Sequence, residues 1–193
     1  MKLLHIDSSI TGDSSATRQI TARIVESFGR TTPSLDIVRR DLAAEPLAHL
    51  DGAQLASLAQ DPVLDEFLGA DTIVIGAPMY NFAIPSQLKA WIDRILVAGK
   101  TFRYTEKGAE GLARGKTVIV ASSRGGFYAS DAAQAAMDFQ ENYLRAVFRF
   151  IGIEDFRIVR AEGIAIGPQQ RQAAMSAALE AAAAVPVPAA KAA

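Results

Sequence analysis

Thr72-Ile73-Val74-Ile75-Gly76 is the stretch that decides the fold class, because it is an unbroken apolar and β-branched run. A strand of this composition is buried on both faces, which is typical of a parallel sheet covered by helices. Comparable short runs stand at residues 3–6, 35–38, 117–120 and 156–159. The sequence therefore predicts five strands, read as continuous apolar runs and not as alternating ones.

Helical patterns separate these strands. Ile20, Ile24, Val25 and Phe28 fall on one face of a helix that Gly29 is placed to end. Asp61 and Pro62 are typical of a helix start, here of a helix that runs to about Ala70. Further helices are predicted from Pro85, with Leu88, Trp91, Ile92 and Ile95 on it, over residues 132–148, and from near Gln169. This order predicts an α/β fold: a flavodoxin-like, doubly wound sheet of five parallel strands with helices on both faces.

Length and composition indicate one folded unit. The chain has 193 residues, half of them apolar, which suits a single domain with a sizeable core. We expect that domain to cover residues 1–180. Residues 181–193 are mostly Ala, Pro and Val, and Pro186 and Pro188 interrupt any helix there. We therefore expect a frayed C-terminal tail.

Composition also excludes several kinds of protein. With a formal net charge of −1, the chain lacks the excess of basic residues that is typical of a nucleic-acid-binding protein. The absence of cysteine excludes disulfides, thiolate catalysis and thiolate metal ligands. His5 and His49 are too few for a histidine-rich metal site, so no metal is expected, and His5 is interpreted as a packed strand residue. No apolar run suits a signal peptide or a membrane span, so we expect a soluble cytoplasmic protein.

The loop after the first strand, residues 8–17, is rich in hydroxyl groups. Ser9, Ser15 and Thr17 precede or begin a helix, and a helix N-terminus offers free N–H groups and the positive end of a dipole. Such a loop can hold a phosphate without a lysine, although it is not a Walker loop. The alternative is a simple turn with a helix cap.

Two further loops are unusual, and in a parallel sheet they share the same edge, where ligands bind. Residues 78–85 place Met79, Tyr80 and Phe82 between two prolines, which suits a flat wall for a ring. The loop after the fourth strand contains Arg124 and two glycines that permit close backbone approach. The alternatives are a loop folded on its own core and a glycine turn with a solvated arginine. Taken together, the three loops favour a planar ligand that carries a phosphate.

At these residues the chain resembles the FMN-dependent NADH-azoreductases, also described as quinone reductases. The matching stretches are Ser8-Ser9 with Ser15-x-Thr17, and residues 77–82, 101–106, 110–112, 123–126 and 150–153. The resemblance implies an FMN phosphate site of Ser9, Ser15, Ala16 and Thr17. It further implies a flavin ring lined by Met79, Tyr80, Asn81 and Phe82, with Ser123, Arg124, Gly125 and Gly126 on its pyrimidine side. The chain departs from the family at Thr17, where serine is frequent. It also departs in residues 41–71, a segment that looks shorter than in typical members.

The same resemblance implies an enzyme. FMN would carry the chemistry in a ping-pong cycle, with NADH as donor and quinones or azo compounds as acceptors, and no side chain as catalyst. Backbone N–H groups, together with Arg124, would stabilise negative charge on the reduced ring. The alternatives are a flavodoxin-type FMN electron carrier without NADH turnover and a non-catalytic nucleotide-binding module.

Family members are homodimers with active sites at the interface, which implies the same assembly here. The bulky residues Trp91, Phe148 and Phe150 support that expectation, since one small sheet does not readily bury them all. The resemblance also implies that Tyr104 and Phe150 form the substrate pocket, with the two side chains coming from opposite subunits. The alternative is that both are core residues.

Overall fold

The computed structural model describes residues 1–129 and 132–188 as alternating strands and helices. The strands are β1 (Lys2–Asp7), β2 (Asp36–Asp41), β3 (Thr72–Pro78), β4 (Phe102–Thr105), β5 (Gly108–Gly111), β6 (Thr117–Ser123) and β7 (Asp155–Ala161). The helices are α1 (Ala16–Thr31), α2 (Gly52–Ser57), α3 (Pro62–Gly69), α4 (Ser86–Ile95), α5 (Ala132–Ala135), α6 (Glu141–Phe150) and α7 (Pro168–Ala183).

Five of the strands form one parallel sheet in the order β2-β1-β3-β6-β7. All seven residues of β3 and all seven of β6 are buried, as their continuous apolar runs predict. The chain therefore has the predicted α/β fold with a flavodoxin-like strand order. In this order the direction of winding reverses between β1 and β3, which is where such sheets bind a ligand.

Helices cover both faces of the sheet and bury two apolar layers. On one face Phe67, Trp91 and Phe148 are fully buried between the sheet and α3, α4 and α6. On the other face Ile20, Ile24 and Phe28 of α1 pack with residues of α7. Two of the three aromatic residues that suggested a dimer, Trp91 and Phe148, are thus core residues.

Local structure differs from the expectations at four places. The first helix continues past Gly29 to Thr31. The chain over residues 132–148 forms two helices, because the Asp138 side chain accepts hydrogen bonds from the N–H groups of Gln140 and Glu141 and starts α6 afresh. The antiparallel hairpin of β4 and β5 was not predicted.

The C-terminal segment is the fourth difference. Helix α7 runs through Ala183 with Ala182 fully buried, and Val185 and Val187 pack against the same apolar layer. Residues 181–188 are therefore not frayed as expected, because small apolar side chains fit closely against α1. The remainder of the predicted tail, residues 189–193, lies outside the described residues.

Candidate functional site: a cleft at the carboxyl edge of the sheet

The loops that follow β1, β3 and β6 meet at one edge of the sheet and are joined by hydrogen bonds. The Ser8 hydroxyl donates to the carbonyl of Gly76 at 2.6 Å, and the N–H of Met79 donates to the carbonyl of Ser123 at 2.8 Å. Between them lies a cavity of about 420 Å³. It is lined by Ser9, Thr11, Ser14, Ser15, Ala16, Pro78, Met79, Tyr80, Ser123, Gly125, Ile164, Ala165 and Arg171.

One end of this cavity is the N-terminus of α1. Ser15 caps the helix, and its hydroxyl accepts from the N–H of Arg18 at 3.3 Å. Within the described part of the chain, the N–H groups of Ala16 and Thr17 donate no hydrogen bond. These two donors and the dipole of a 16-residue helix suit an anion.

The hydroxyl groups at this end have unequal positions. Ser9 and Ser15 line the cavity. Thr17 is fully buried and does not line it; its hydroxyl lies 3.1 Å from that of Ser15. The Ser9 hydroxyl lies 3.2 Å from that of Tyr80 and so links this end to the next loop. Thr17 thus orients Ser15 in this structure.

The loop after β3 contains a tight turn with unusual backbone angles. Tyr80 and Ala83 exchange both backbone hydrogen bonds, at 2.9 and 3.0 Å. Between them Asn81 and Phe82 have φ values of 49° and 70°, a conformation that non-glycine residues rarely adopt and that tends to occur at functional sites. This turn fixes Met79 and Tyr80 against the cavity.

Asn81 and Phe82 themselves lie farther out. Asn81 lines an adjoining groove of about 600 Å³, together with Ile10, Ile84 and other residues of the same loop. The Phe82 side chain is 45% exposed and lines neither cavity, while its carbonyl accepts from the N–H of Phe139 at 3.1 Å. Of the residues predicted to line a ring, Met79 and Tyr80 therefore line the cavity, and Asn81 lines the groove beside it.

The Arg124 side chain is not positioned to touch a ligand in the cleft. Its guanidinium has no exposed surface and makes ion pairs with Asp138 (2.9 Å), Glu141 (2.6 Å) and Glu162 (3.0 Å). Its Nε donates to Gln140 at 3.0 Å. The alternative of a solvated arginine is also wrong, because these partners hold the side chain inside the fold.

This buried network holds the glycine loop in place. Glu162 accepts from the N–H groups of Tyr128 and Ala129 as well as from Arg124. Gln140 donates to the carbonyl of Ala77 at the end of β3. Arg124 therefore connects the loops after β3, β6 and β7 and holds the backbone that forms the walls of the cleft.

The glycines after Arg124 bring backbone to the cavity. Within residues 1–129 and 132–188, the N–H groups of Gly125 and Gly126 have no hydrogen-bond acceptor, although their carbonyls accept from Ala165 and Gly163. A Cβ atom at Gly125 would lie 3.2 Å from that of Ala165. Free amides in a narrow space are the donors that suit the polar edge of a planar ring.

Tyr104 and Phe150 lie at the opposite edge of the sheet. Phe102 contacts both rings, with centroid distances of 5.5 and 4.8 Å. Helices α4 and α6 start at the cleft edge, and ten residues of helix span about 15 Å, so the hairpin and Phe150 lie one helix length from the cleft of the same chain. Tyr104 is 75% exposed and Phe150 is 37% exposed.

A second arginine near the cleft, Arg18 of α1, is bonded to the loop after β1. Arg18 donates to both carboxylate oxygens of Asp41, at 2.6 and 2.8 Å, and to the carbonyl of Ser9 at 3.1 Å. The hydrogen bonds with Asp41 raise the pKa of Arg18, and those from Arg18 lower the pKa of Asp41 to about 2. The charge of Arg18 is thus largely neutralised beside the cavity.

The sequence did not point to Thr11, Ser14, Ile164, Ala165 or Arg171 as cavity residues. The last three follow β7, and the carboxyl end of this strand lies at the same edge as the other loops. A known strand order would have placed these three residues at the cleft. A larger cavity of about 840 Å³ lies at the other edge, between the hairpin and the end of α6, but it is far from the helix N-terminus and the glycine loop.

The described residues provide neither a cluster of metal ligands nor a membrane-spanning helix. They contain no group of three or more His, Cys, Asp or Glu side chains arranged to hold a metal ion. No helix among them is long and apolar enough to cross a membrane.

The fold and the cleft define a flavodoxin-like protein, and the chain belongs to the Flavodoxin_2 family, described as having a flavodoxin-like fold, which it matches over residues 1–185. It is 56% identical over 191 residues to the FMN-dependent NADH:quinone oxidoreductase of Methylocella silvestris, covering 91% of this chain and 94% of the relative. It is 55% identical over 196 residues to FMN-dependent NADH:quinone oxidoreductase 2 of Bradyrhizobium diazoefficiens, covering 94% and 97%.

Solved structures give the same relationship. An azoreductase from Bacillus anthracis superposes with a TM-score of 0.88 at 26% identity, covering 96% of this chain and 98% of that one. An FMN-dependent NADH-azoreductase from the same species, solved in complex with FMN, gives a TM-score of 0.82 at 30% identity, covering 94% and 97%.

Proposed function

We propose that this protein is an FMN-dependent oxidoreductase that uses NADH for the two-electron reduction of quinones and for the reductive cleavage of azo compounds. The observation that carries the proposal is the 420 Å³ cavity, which has an open helix N-terminus at one end and Met79 with the glycine loop along it. The names of the relatives, which cover nearly the whole chain, support the same activity.

The residues of the cleft fit FMN. The N–H groups of Ala16 and Thr17 and the hydroxyls of Ser9 and Ser15 would hold its phosphate, since a helix N-terminus binds anions through such donors. Met79 and Tyr80 would support the ring, and the amides of Gly125 and Gly126 would meet its polar edge. These fixed donors would stabilise negative charge without rearrangement. Bound FMN would supply the chemistry as the acceptor of a hydride from NADH and the donor of two electrons to the acceptor, with the further protons coming from solvent, so that cleavage of an azo bond would need two such cycles.

The cycle we propose is ping-pong. The oxidised nicotinamide would leave before the acceptor enters, so that one open cleft would serve both substrates. The alternative, an electron carrier without NADH turnover, is disfavoured by relatives whose names specify NADH as donor. Since NADH is a cytoplasmic reductant, we also place the protein in the cytoplasm.

The proposed assembly is a homodimer in which Tyr104 and Phe150 of one chain together complete the cleft of the other subunit. Both rings contact Phe102 of their own chain, so the pair does not come from opposite subunits as expected. Their exposure and their place at the edge opposite the cleft support this arrangement, since neither reaches the cleft of its own chain. Aromatic walls stack on flat acceptors of varied shape. Sedimentation would test the assembly, and a stable, active monomer would contradict it.

The experiment for the activity is anaerobic mixing of the purified protein with NADH. We expect a yellow protein whose cofactor has the mass of FMN, whose colour bleaches within seconds, and whose colour returns when a quinone is added. Bleaching by dithionite but not by NADH would instead identify an electron carrier. A colourless protein that takes up no FMN would refute the proposal outright.

A further inference from the structure

Arg171, in the first turn of α7, is the one cation among the described residues that line the 420 Å³ cavity. It lies on the same side of the cavity as the start of α1, because its Nη2 donates to the carbonyl of Ser14 at 3.4 Å. Ser14 directly precedes the capping residue Ser15. A guanidinium thus stands beside the open helix N-terminus.

Arg171 differs from the other arginines near this cleft in what it pairs with. Arg18 is held by Asp41 and Asp7, and Arg124 by three carboxylates. Within the part of the chain that the structure describes, Arg171 has no carboxylate within ion-pair distance. Its charge is therefore available to a ligand.

We propose that Arg171 is a phosphate-binding residue of the cofactor cleft, adding a charged contact to the neutral donors of α1. The proposal rests on the proposed function in that the ligand is FMN. A guanidinium matches the geometry of phosphate oxygens and remains charged at all working pH values. Arg171 would therefore favour FMN over riboflavin, which has the same ring but no phosphate.

The test compares the two flavins on the full-length protein after its flavin is removed by dialysis. Affinities for FMN and for riboflavin are measured by fluorescence quenching at low and high NaCl for the native protein, Arg171→Gln and Arg171→Lys. A hydrogen bond to a charged group contributes more free energy than a bond between neutral groups, so we expect about a tenfold loss of FMN affinity in Arg171→Gln. Because Arg171 is partly exposed, salt should weaken this contribution. The affinity for riboflavin should not change, and Arg171→Lys should recover part of the loss.

The salt dependence gives a second readout. FMN affinity of the native protein should fall with NaCl more steeply than that of Arg171→Gln. Arg30→Gln, an exposed arginine near the far end of α1, is the matched control and should behave as the native protein.

Three results would overturn the proposal. They are unchanged FMN affinity in Arg171→Gln, an equal loss for both flavins, and a changed KM for NADH or quinone with FMN affinity intact, which would assign Arg171 to a substrate. A native protein that binds neither flavin would instead refute the proposed function, so the two failures can be distinguished.

Discussion

Replacing Arg124 by alanine should destabilise the fold far more than it alters the chemistry. The substitution leaves Asp138, Glu141 and Glu162 without the guanidinium that contacts all three at 2.6–3.0 Å. Removing one partner from a buried ion-pair network costs about 3–5 kcal/mol, because the remaining charges stay buried. For a domain of this size, that loss corresponds to a fall in melting temperature of roughly 6–20 °C.

The assay is urea and thermal unfolding of the native protein, Arg124→Ala and Arg124→Lys, with FMN affinity measured in parallel. Arg124→Lys should lose less stability, since a lysine keeps the charge but cannot span all the acceptors. Arg30→Ala, which removes an exposed side chain that pairs with Glu26 of its own helix, should leave the unfolding midpoint unchanged. An Arg124→Ala protein with native stability but much weaker FMN binding would refute the reasoning, because it would indicate that Arg124 contacts FMN directly.

Three further predictions concern other parts of the molecule. Phe148→Ala should lower the free energy of unfolding by about 3–5 kcal/mol, because Phe148 is fully buried. Phe150→Ala, which removes a partly exposed aromatic contact, should cost roughly 0.5–1.5 kcal/mol and change kcat/KM for quinone and azo acceptors. Equal losses of stability in the two variants would contradict the assignment of Phe150 to the pocket. The lowered pKa of Asp41 means that its pairing with Arg18 stabilises the fold above the ordinary carboxyl pKa, and that this contribution is lost as pH falls toward about 2. Since Asp41 is partly exposed, Asp41→Asn should lower the free energy of unfolding in urea by only about 1 kcal/mol at pH 7. If the same loss of stability persisted at pH 2, the pairing with Arg18 would not be its cause. Gly111→Ala drives a methyl group into the backbone that follows α6, so it should displace the hairpin, and analytical ultracentrifugation should show weaker self-association; an unchanged dimer would count against the proposed interface.

The parts of the fold that sequence predicted are those whose signal is local. Strands β3 and β6 are continuous apolar runs because both faces are covered, and their burial follows. The hairpin gave no such signal, since Phe-Arg-Tyr-Thr and Gly-Ala-Glu-Gly bury little and depend on contacts with the end of α6. The break before α6 depended on one Asp138 side chain within an otherwise helical composition.

The candidate site divides in the same way. The helix N-terminus at Ser15 and the loop that contains Met79 could be predicted, because each follows a recognisable strand. The partners of Arg124 lie 14 to 38 residues away along the chain, so no local pattern distinguishes a buried arginine from one that faces a ligand. Arg171 was missed for the related reason that its place in the cleft depends on strand order.

The distance between the cleft and the aromatic hairpin has a genetic consequence. In the proposed dimer each site takes its cofactor cleft from one chain and its aromatic wall from the other. A chain damaged in the cleft and a chain damaged only at the wall would each be defective as homodimers. When the two are co-expressed, every mixed dimer contains one site assembled from the two undamaged halves. Two inactive alleles of this protein should therefore complement each other when they alter opposite edges of the sheet, and fail to do so when they alter the same edge.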